Sequence, residues 1–219
     1  MTDLASIYKN RFEEETGLER RDRVWKILCG SFFNRRIPEN ASVLELACGY
    51  GEFINNIGAA HKFAIDINPD ASRHLLPDVT FFNIAATGLA AVGTEIVDVV
   101  FTSNFFEHLH DKNECYEVMT AVREVLRPGG TFIVMGPNIR FLYREYWDFY
   151  DHCLPLSDRS VAEGLRSAGF RIVENIPQFL PFRMNNNTPT HDVLVRAYLA
   201  LPLAWKVLGK QFLVTAVKA

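Results

Sequence analysis

From residue 42 onward the chain alternates short apolar runs with amphipathic stretches, in a rhythm of strand, turn and helix. Ser42–Leu46, Phe63–Ile67, Val79–Asn83, Ile96–Thr102, Thr131–Met135, Phe170–Glu174 and Gln211–Val217 are five to seven residues each and rich in Val, Ile, Leu and Phe. Such runs are typical of buried strands. Helical spacing follows several of them, at Glu52–Ala59, Asp70–Leu76, Lys112–Leu126 and Ser157–Ala168, the last stopped by Gly169. Arg127-Pro128-Gly129-Gly130 reads as a turn. Strands alternating with helices at this interval predict an α/β fold: a doubly wound, mostly parallel seven-stranded sheet with helices on both faces.

The flanks are patterned differently. Residues 1–40 are helix-prone, with a charged block at Glu13-Glu14-Glu15 and another at Glu19-Arg20-Arg21-Asp22-Arg23. Val24, Trp25, Ile27, Leu28 and Phe32 then recur at helical spacing, which predicts an amphipathic helix lying on the domain. Its arginines form a solvated face or reach a ligand carboxylate. Phe141, Tyr143, Tyr146, Trp147, Phe149 and Tyr150 are too dense for one helical face, so this segment is a lid or the packing of an inserted helix. Leu180–Gly209 is longer than a simple connection between strands. Within it Asn185-Asn186-Asn187-Thr188-Pro189 reads as loop, and Val193–Leu208 is apolar, with Pro202 set to break a helix. If unbroken, that helix would gather Arg196, Lys206 and Lys210 within about 80°. Residues 193–208 are therefore read as a core cover or homodimer contact, or as a peripheral membrane element. The organisation is one domain over 1–219: a helical cover at 1–40, a core at 40–175, and acceptor-side segments at 138–156 and 178–210.

At 219 residues the chain can bury a full core. An apolar share of 48% with 22% charged residues is that of a globular protein, and a net charge of −3 carries no basic footprint for nucleic acid. The four cysteines, Cys29, Cys48, Cys115 and Cys153, form no metal or redox spacing and are expected to be buried free thiols. Met1–Asn10 lacks an apolar stretch, so no signal peptide is expected, and no run is long enough to span a bilayer. The expected location is cytoplasmic.

Chemistry concentrates on Val43-Leu44-Glu45-Leu46-Ala47-Cys48-Gly49-Tyr50-Gly51-Glu52-Phe53, which reads as a buried strand, a tight turn needing two glycines, and a helix start. Ligands of such sheets sit beyond the carboxyl ends of the strands. This turn lies there, as do Asp66, Asn83 and Ser103–His108. A dinucleotide fingerprint requires a third glycine so that helix and strand can pack closely; here Ile54 stands in its place. No Gly-Lys-Ser/Thr follows, so a P-loop is absent. Glu52 suits the positive end of a helix but repels phosphate. A sulfonium zwitterion has no phosphate and tolerates acidic neighbours, so the turn points to S-adenosylmethionine. Asp66, 21 residues past Glu45, can accept from both ribose hydroxyls or cap the helix near Pro69. Asn83 can read an adenine edge or form a turn before Ile84.

The segments VLELACGYGEF, AIDIN, VTFFNIAA, VDVVFTSNFFEHL and LRPGGTFIVMGPN resemble, in order and spacing, the class I S-adenosylmethionine-dependent methyltransferases, over roughly residues 40–175. The resemblance implies a Rossmann-like fold, with S-adenosylmethionine as cofactor and S-adenosylhomocysteine as product. It implies that Gly49 and Gly51 run under the cofactor and that Glu45 lies near its methionyl end. Asp66, with Ile67 beside it, would hold the ribose, Asn83 and Ile84 would frame the adenine, and Asn104 would be a further cofactor-binding residue. Ala47 departs from the family pattern, which has glycine there; its methyl is expected to narrow the turn. Tyr146–His152, Pro155–Ser157 and Trp205–Phe212 resemble a bacterial subgroup whose substrates are unassigned, which extends the likeness to nearly the whole chain.

Methyl transfer to a hydroxyl benefits from a base near neutrality, usually histidine. His152, beside Asp148 and Asp151, and His108, after strand four, are the two candidates; a hydrogen bond that only fixes a loop is the alternative for each. Asn104-x-x-Glu107-His108 resembles the Glu-x-x-Glu-His metal site of some quinone-biosynthesis O-methyltransferases, but with Asn as its first member, and no metal is expected. Ser103-Asn104-Phe105-Phe106 replaces the Asp/Asn-Pro-Pro-Tyr seen where planar amino nitrogens are methylated. The expected function is methyl transfer to a small-molecule acceptor, at an oxygen of a sugar, glycolipid or other metabolite. The other classes left open are a nicotinamide-dependent oxidoreductase and a non-catalytic cofactor-binding module.

Overall fold

The computed structural model describes residues 15–182 and 191–219. The expectations for Met1–Asn10, for Glu13 and Glu14, and for the loop at 185–189 lie outside the described residues. Helix α1 (Glu15–Ser31) precedes a core of β1 (Ser42–Leu46), α2 (Glu52–Asn56), β2 (His61–Ile65), β3 (Val79–Phe82), β4 (Val97–Ser103), α3 (Lys112–Val125) and β5 (Leu126–Pro137). Then come α4 (Ile139–Leu142), α5 (Asp158–Ser167), β6 (Phe170–Ile176), α6 (Asp192–Ala200), α7 (Pro202–Leu208) and β7 (Gln211–Lys218).

The seven strands form one sheet in the order β3-β2-β1-β4-β5-β7-β6. β1 to β5 pair in parallel, and β7 runs antiparallel to both of its neighbours. Hydrophobic patterning does not encode strand direction; the register does. Gln211 at the start of β7 stands opposite Pro137 at the end of β5. The connection that carries α6 and α7 into β7 therefore meets the carboxyl edge of the sheet, the edge where the glycine turn lies.

β1 is buried along its whole length, and its side chains alternate between two cores. Leu44 and Leu46 pack with Val100, Phe132, Val118 and Leu165 on one face. Val43 packs on the other with Phe53, Phe101, Ile133 and the α1 residues Val24, Ile27 and Leu28. Each such side chain contributes about 1.5–3 kcal/mol on full burial. Phe53 and Phe101 stack at 3.7 Å, and Trp25 meets both edge-on at 6.2 and 5.9 Å. These rings fix α1 over the helix that follows the glycine turn. α5 begins with a Ser157–Ser160 capping box, worth about 1 kcal/mol.

Several boundaries differ from the sequence expectation. β2 starts at His61 and ends at Ile65, leaving Ile67 outside the strand and 61% exposed. α2 stops at Asn56, and the Gly58 N–H instead donates to Asn34 Oδ1 at 3.1 Å. The expected Asp70–Leu76 helix is a 3-10 turn, Pro69–His74, capped by Asn68. Arg127–Gly130 belongs to β5, because Leu126 pairs with Val97 before a register shift. Pro202 splits the 193–208 segment into α6 and α7, since proline lacks the N–H that a continuous helix needs. The predicted basic stripe is accordingly dispersed: Arg196 donates to Ser31 Oγ at 3.0 Å and Lys210 pairs with Glu145 at 2.8 Å. Cys153 is exposed, unlike the other three cysteines. Among the described residues no helix is long and apolar enough to cross a membrane.

Candidate active site

Four adjacent strands, β3-β2-β1-β4, carry the candidate cofactor residues at or just beyond their carboxyl ends. The turn after β1 takes left-handed backbone at Ala47 (φ 56°), Gly49 (φ 53°) and Gly51 (φ 71°). A Cβ on Gly49 would meet open space, whereas one on Gly51 would clash with the Leu75 side chain. Gly49 thus leaves room for a ligand to run along the backbone, and Gly51 lets the chain pass under Leu75.

The Asp66 carboxylate is tied to that turn. Its Oδ2 accepts from the Gly49 N–H and its Oδ1 from the Asn68 N–H, both at 2.8 Å. A carboxylate has about four acceptor positions, so two remain for hydroxyls. Capping of the following 3-10 turn, the alternative role considered for Asp66, is performed by Asn68, whose side chain accepts from the Asp70 N–H. The Asn83 amide donates to the Asp66 main-chain oxygen at 2.8 Å and holds the ends of β2 and β3 together. Ile84 is half-buried against the core, and its N–H donates to the Phe82 carbonyl at 3.1 Å. Asn104 follows β4 with φ 50°, its N–H donating to Met135 O at 3.0 Å and its side chain to Ser103 Oγ at 3.1 Å.

Glu45 is buried, and its Oε2 accepts from the Ile54 N–H at 3.0 Å in the first turn of α2. Burial pushes its carboxyl well above the usual range, with that hydrogen bond opposing. Arg21 of α1, one of the arginines left open between solvent and ligand, pairs with Glu52 and lies 5.3 Å over the Tyr50 ring. The glycine turn is therefore covered from the α1 side.

Ala47 carries a consequence that the sequence alone did not show. At φ 56° its Cβ strains the backbone, since left-handed φ costs a residue with a Cβ about 1–2 kcal/mol. Glycine relieves that strain but forfeits about 0.4–1 kcal/mol of the gain to the greater entropy of its unfolded chain. Ala47→Gly is expected to raise the melting temperature by about 2 °C in a domain of this size, read by calorimetry. A lower melting temperature would mean that the Ala47 methyl makes contacts worth more than the strain.

A second cluster lies past β4. Glu107 and His108 sit on a 3-10 turn, and the Glu107 carbonyl accepts from the N–H groups of Cys153 (2.8 Å) and Leu154 (3.0 Å). These bonds lock the turn to the segment holding His152. The two histidine rings stand 5.2 Å apart. His108 Nδ1 is 3.0 Å from the Asp151 carbonyl oxygen and 3.4 Å from its Oδ2. A carbonyl only accepts, so Nδ1 carries the proton, and in the neutral ring the lone pair is then at Nε2. Asp151, read from the sequence as a neighbour of His152, thus orients His108. His152 is buried, stacked on Phe149 at 4.8 Å and beside Tyr146 at 4.7 Å. Tyr146 is itself buried and donates to the Leu154 carbonyl, so this part of the aromatic segment is packing, while Tyr143, Trp147 and Tyr150 are exposed.

Glu107 was read only as part of a motif, yet it is 3% exposed. Burial pushes its carboxyl up to about 7, His108 lowering it and Asp151 raising it. The spacing Phe105-Phe106-Glu107 after a strand end was the available signal. Phe182 lies 5.3 Å from Phe149 and 6.2 Å from His152. It also lines an open cleft of about 330 Å3 with Leu142, Glu145, Pro181, Leu208 and Lys210.

A family model described as a methyltransferase domain matches residues 18–175. A comparison with curated protein sequences finds no match. Among solved structures, an S-adenosylmethionine-dependent methyltransferase from Archaeoglobus fulgidus shares 19% identity over 99% of this chain and all of that one, with a TM-score of 0.67. A chain from a complex between the Haloferax volcanii Trm112 methyltransferase activator and a protein described as a methyltransferase shares 18% identity over 96% and 97%, with a TM-score of 0.69. The [4+2]-cyclase SpnF shares 18% over 90% and 80%, with a TM-score of 0.61. At these identities the structural likenesses speak to the fold. The family match covers the glycine turn, Asp66, Asn83 and the Glu107–His108 turn together, and it displaces the nicotinamide alternative. The chain belongs to the class I S-adenosylmethionine-dependent methyltransferases.

Proposed function

We propose that the chain methylates an oxygen of a small-molecule acceptor, with Asp66, Gly49, Asn83 and Ile84 holding the adenosine part of the cofactor and His108 taking the acceptor proton. The cofactor supplies a methyl group already activated by positive sulfur. The protein's tasks are to orient the nucleophile, to exclude water and to receive a proton. Orientation alone can be worth about 7–11 kcal/mol. The open position beside Gly49 and the two spare acceptor positions of Asp66 fit a ribose-bearing ligand. Glu45 acts as a positioning residue, holding the start of α2 in place.

One observation carries the oxygen assignment: the Asp151 carbonyl accepts from His108 Nδ1, which in the neutral ring leaves the lone pair at Nε2. An amine that arrives unprotonated can transfer its proton afterwards, but a hydroxyl needs a base as the bond forms. The cleft lined by Leu142, Phe182 and Leu208, with the Glu145–Lys210 pair at its edge, supports an acceptor with an apolar body and a polar end. The decisive measurement is release of S-adenosylhomocysteine with panels of phenols, sugars, lipid-linked glycans and amines. Turnover on a hydroxyl series that is lost on O-capped analogues is expected; turnover confined to amines would overturn the reading.

A further inference from the structure

We propose that Glu107, His108 and His152 form a binding site for a zinc-like divalent cation at the acceptor end of the active site. The ligand-bearing atoms of the three side chains all lie within 4.8 Å of one another. Around one zinc ion, imidazole nitrogens and a carboxylate oxygen stand about 2.0–2.2 Å from the metal and so roughly 3–4 Å apart. Side-chain closure on the order of 1 Å completes the set. The backbone needs no rearrangement, because the Glu107 carbonyl already holds the Cys153 and Leu154 N–H groups.

The surroundings are those of a metal ligand set. A ligating histidine usually donates its other N–H to a carbonyl or carboxylate, which fixes the tautomer and raises the basicity of the ligating nitrogen. His108 does this through Nδ1 to the Asp151 carbonyl, with Asp151 Oδ2 at 3.4 Å. His152 is held by Phe149 and Tyr146, which limit its ring to small adjustments. Glu107 is a buried carboxyl, and a buried carboxylate requires a compensating cation or a proton. Two imidazoles and one carboxylate suit zinc and its late first-row neighbours; magnesium and calcium prefer all-oxygen shells. Three protein ligands leave one tetrahedral position open.

This inference rests on the oxygen-acceptor reading only for its effect on turnover. The Nε2 lone pair that takes the acceptor proton is the one the ion would occupy, so occupancy and base catalysis exclude each other. Bound zinc is expected to inhibit methyl transfer, and a chelator to restore it.

The test is titration of chelator-treated full-length protein with zinc against a chromophoric competitor. One ion per chain is expected, with binding at least tenfold weaker in Glu107→Gln and in His152→Gln. Cys153→Ser, which removes the exposed thiol next to the cluster, is expected to bind as the unaltered protein does. Equal affinity in the unaltered protein and both cluster variants overturns the site. Should the variants unfold, the cobalt complex of the unaltered protein decides: a spectrum without thiolate charge transfer supports the site, and a strong thiolate band overturns it. Stoichiometric zinc that leaves turnover untouched supports the site and removes His108 as the base. Absence of binding, with turnover still dependent on His108, overturns the site and keeps the base.

Discussion

Replacing Asp66 with alanine is expected to weaken S-adenosylmethionine binding by about a hundredfold or more. Two losses combine. In the proposed assignment the ribose hydroxyls lose a carboxylate acceptor, and hydrogen bonds to charged groups are worth about 1.5–3 kcal/mol each. A total of about 3 kcal/mol already exceeds a hundredfold in affinity. The glycine turn also loses its tether, since the Gly49 and Asn68 N–H groups both donate to this carboxylate. Asp66→Asn separates the effects. An amide offers one oxygen and one NH2, so either Gly49 or Asn68 would face a donor, and the cofactor keeps at most one good acceptor. Calorimetric titration with S-adenosylhomocysteine is expected to rank the unaltered protein above Asn, and Asn above Ala. Unchanged affinity in Asp66→Ala would remove the carboxylate from the cofactor site and leave it only the turn.

Much of this arrangement was legible in the chain, and the unreadable parts have physical causes. Ser42–Leu46 is a strand at its expected limits because it is buried on both faces and bounded by a turn that only left-handed residues can make. The placement of Asp66 and Asn83 follows from parallel pairing, which brings the ends of consecutive strands to one edge. Their bonds to each other and to Gly49 were not readable, because a short polar side chain at a strand end has several equally good local partners. The direction of β7 was hidden for a different reason. Its buried run has no polarity along the strand, and only the pairing of Gln211 with Pro137 reveals it. Asp151 sits next to His152 in sequence, yet its carbonyl meets His108, 43 residues away, because the chain folds back through the Glu107 hydrogen bonds. Ala47 was read as a question of volume, and its left-handed φ adds one of backbone strain.

His108→Gln is expected to lower kcat by about a hundredfold to ten-thousandfold, the usual span for loss of a positioned base. Cofactor affinity is expected to stay within about twofold, since no bond links His108 to the glycine turn and the loss falls on the transition state. Glutamine keeps polarity and approximate size but cannot take a proton, so a defect from altered packing alone would be small. Rescue distinguishes a base from a loop anchor. In His108→Ala, added imidazole is expected to restore part of the turnover by entering the vacated space, which a merely structural role would not permit. His152→Ala is expected to slow transfer less, with cofactor binding retained, because its ring supports His108 from 5.2 Å across Phe149 and Tyr146 packing. If His152→Ala proves the slower variant and responds to imidazole while His108→Ala does not, the proton passes to His152, and the Asp151–His108 bond is a loop anchor. If neither substitution changes kcat, the acceptor arrives without a proton to lose, and oxygen gives way to an amine or a carbon nucleophile.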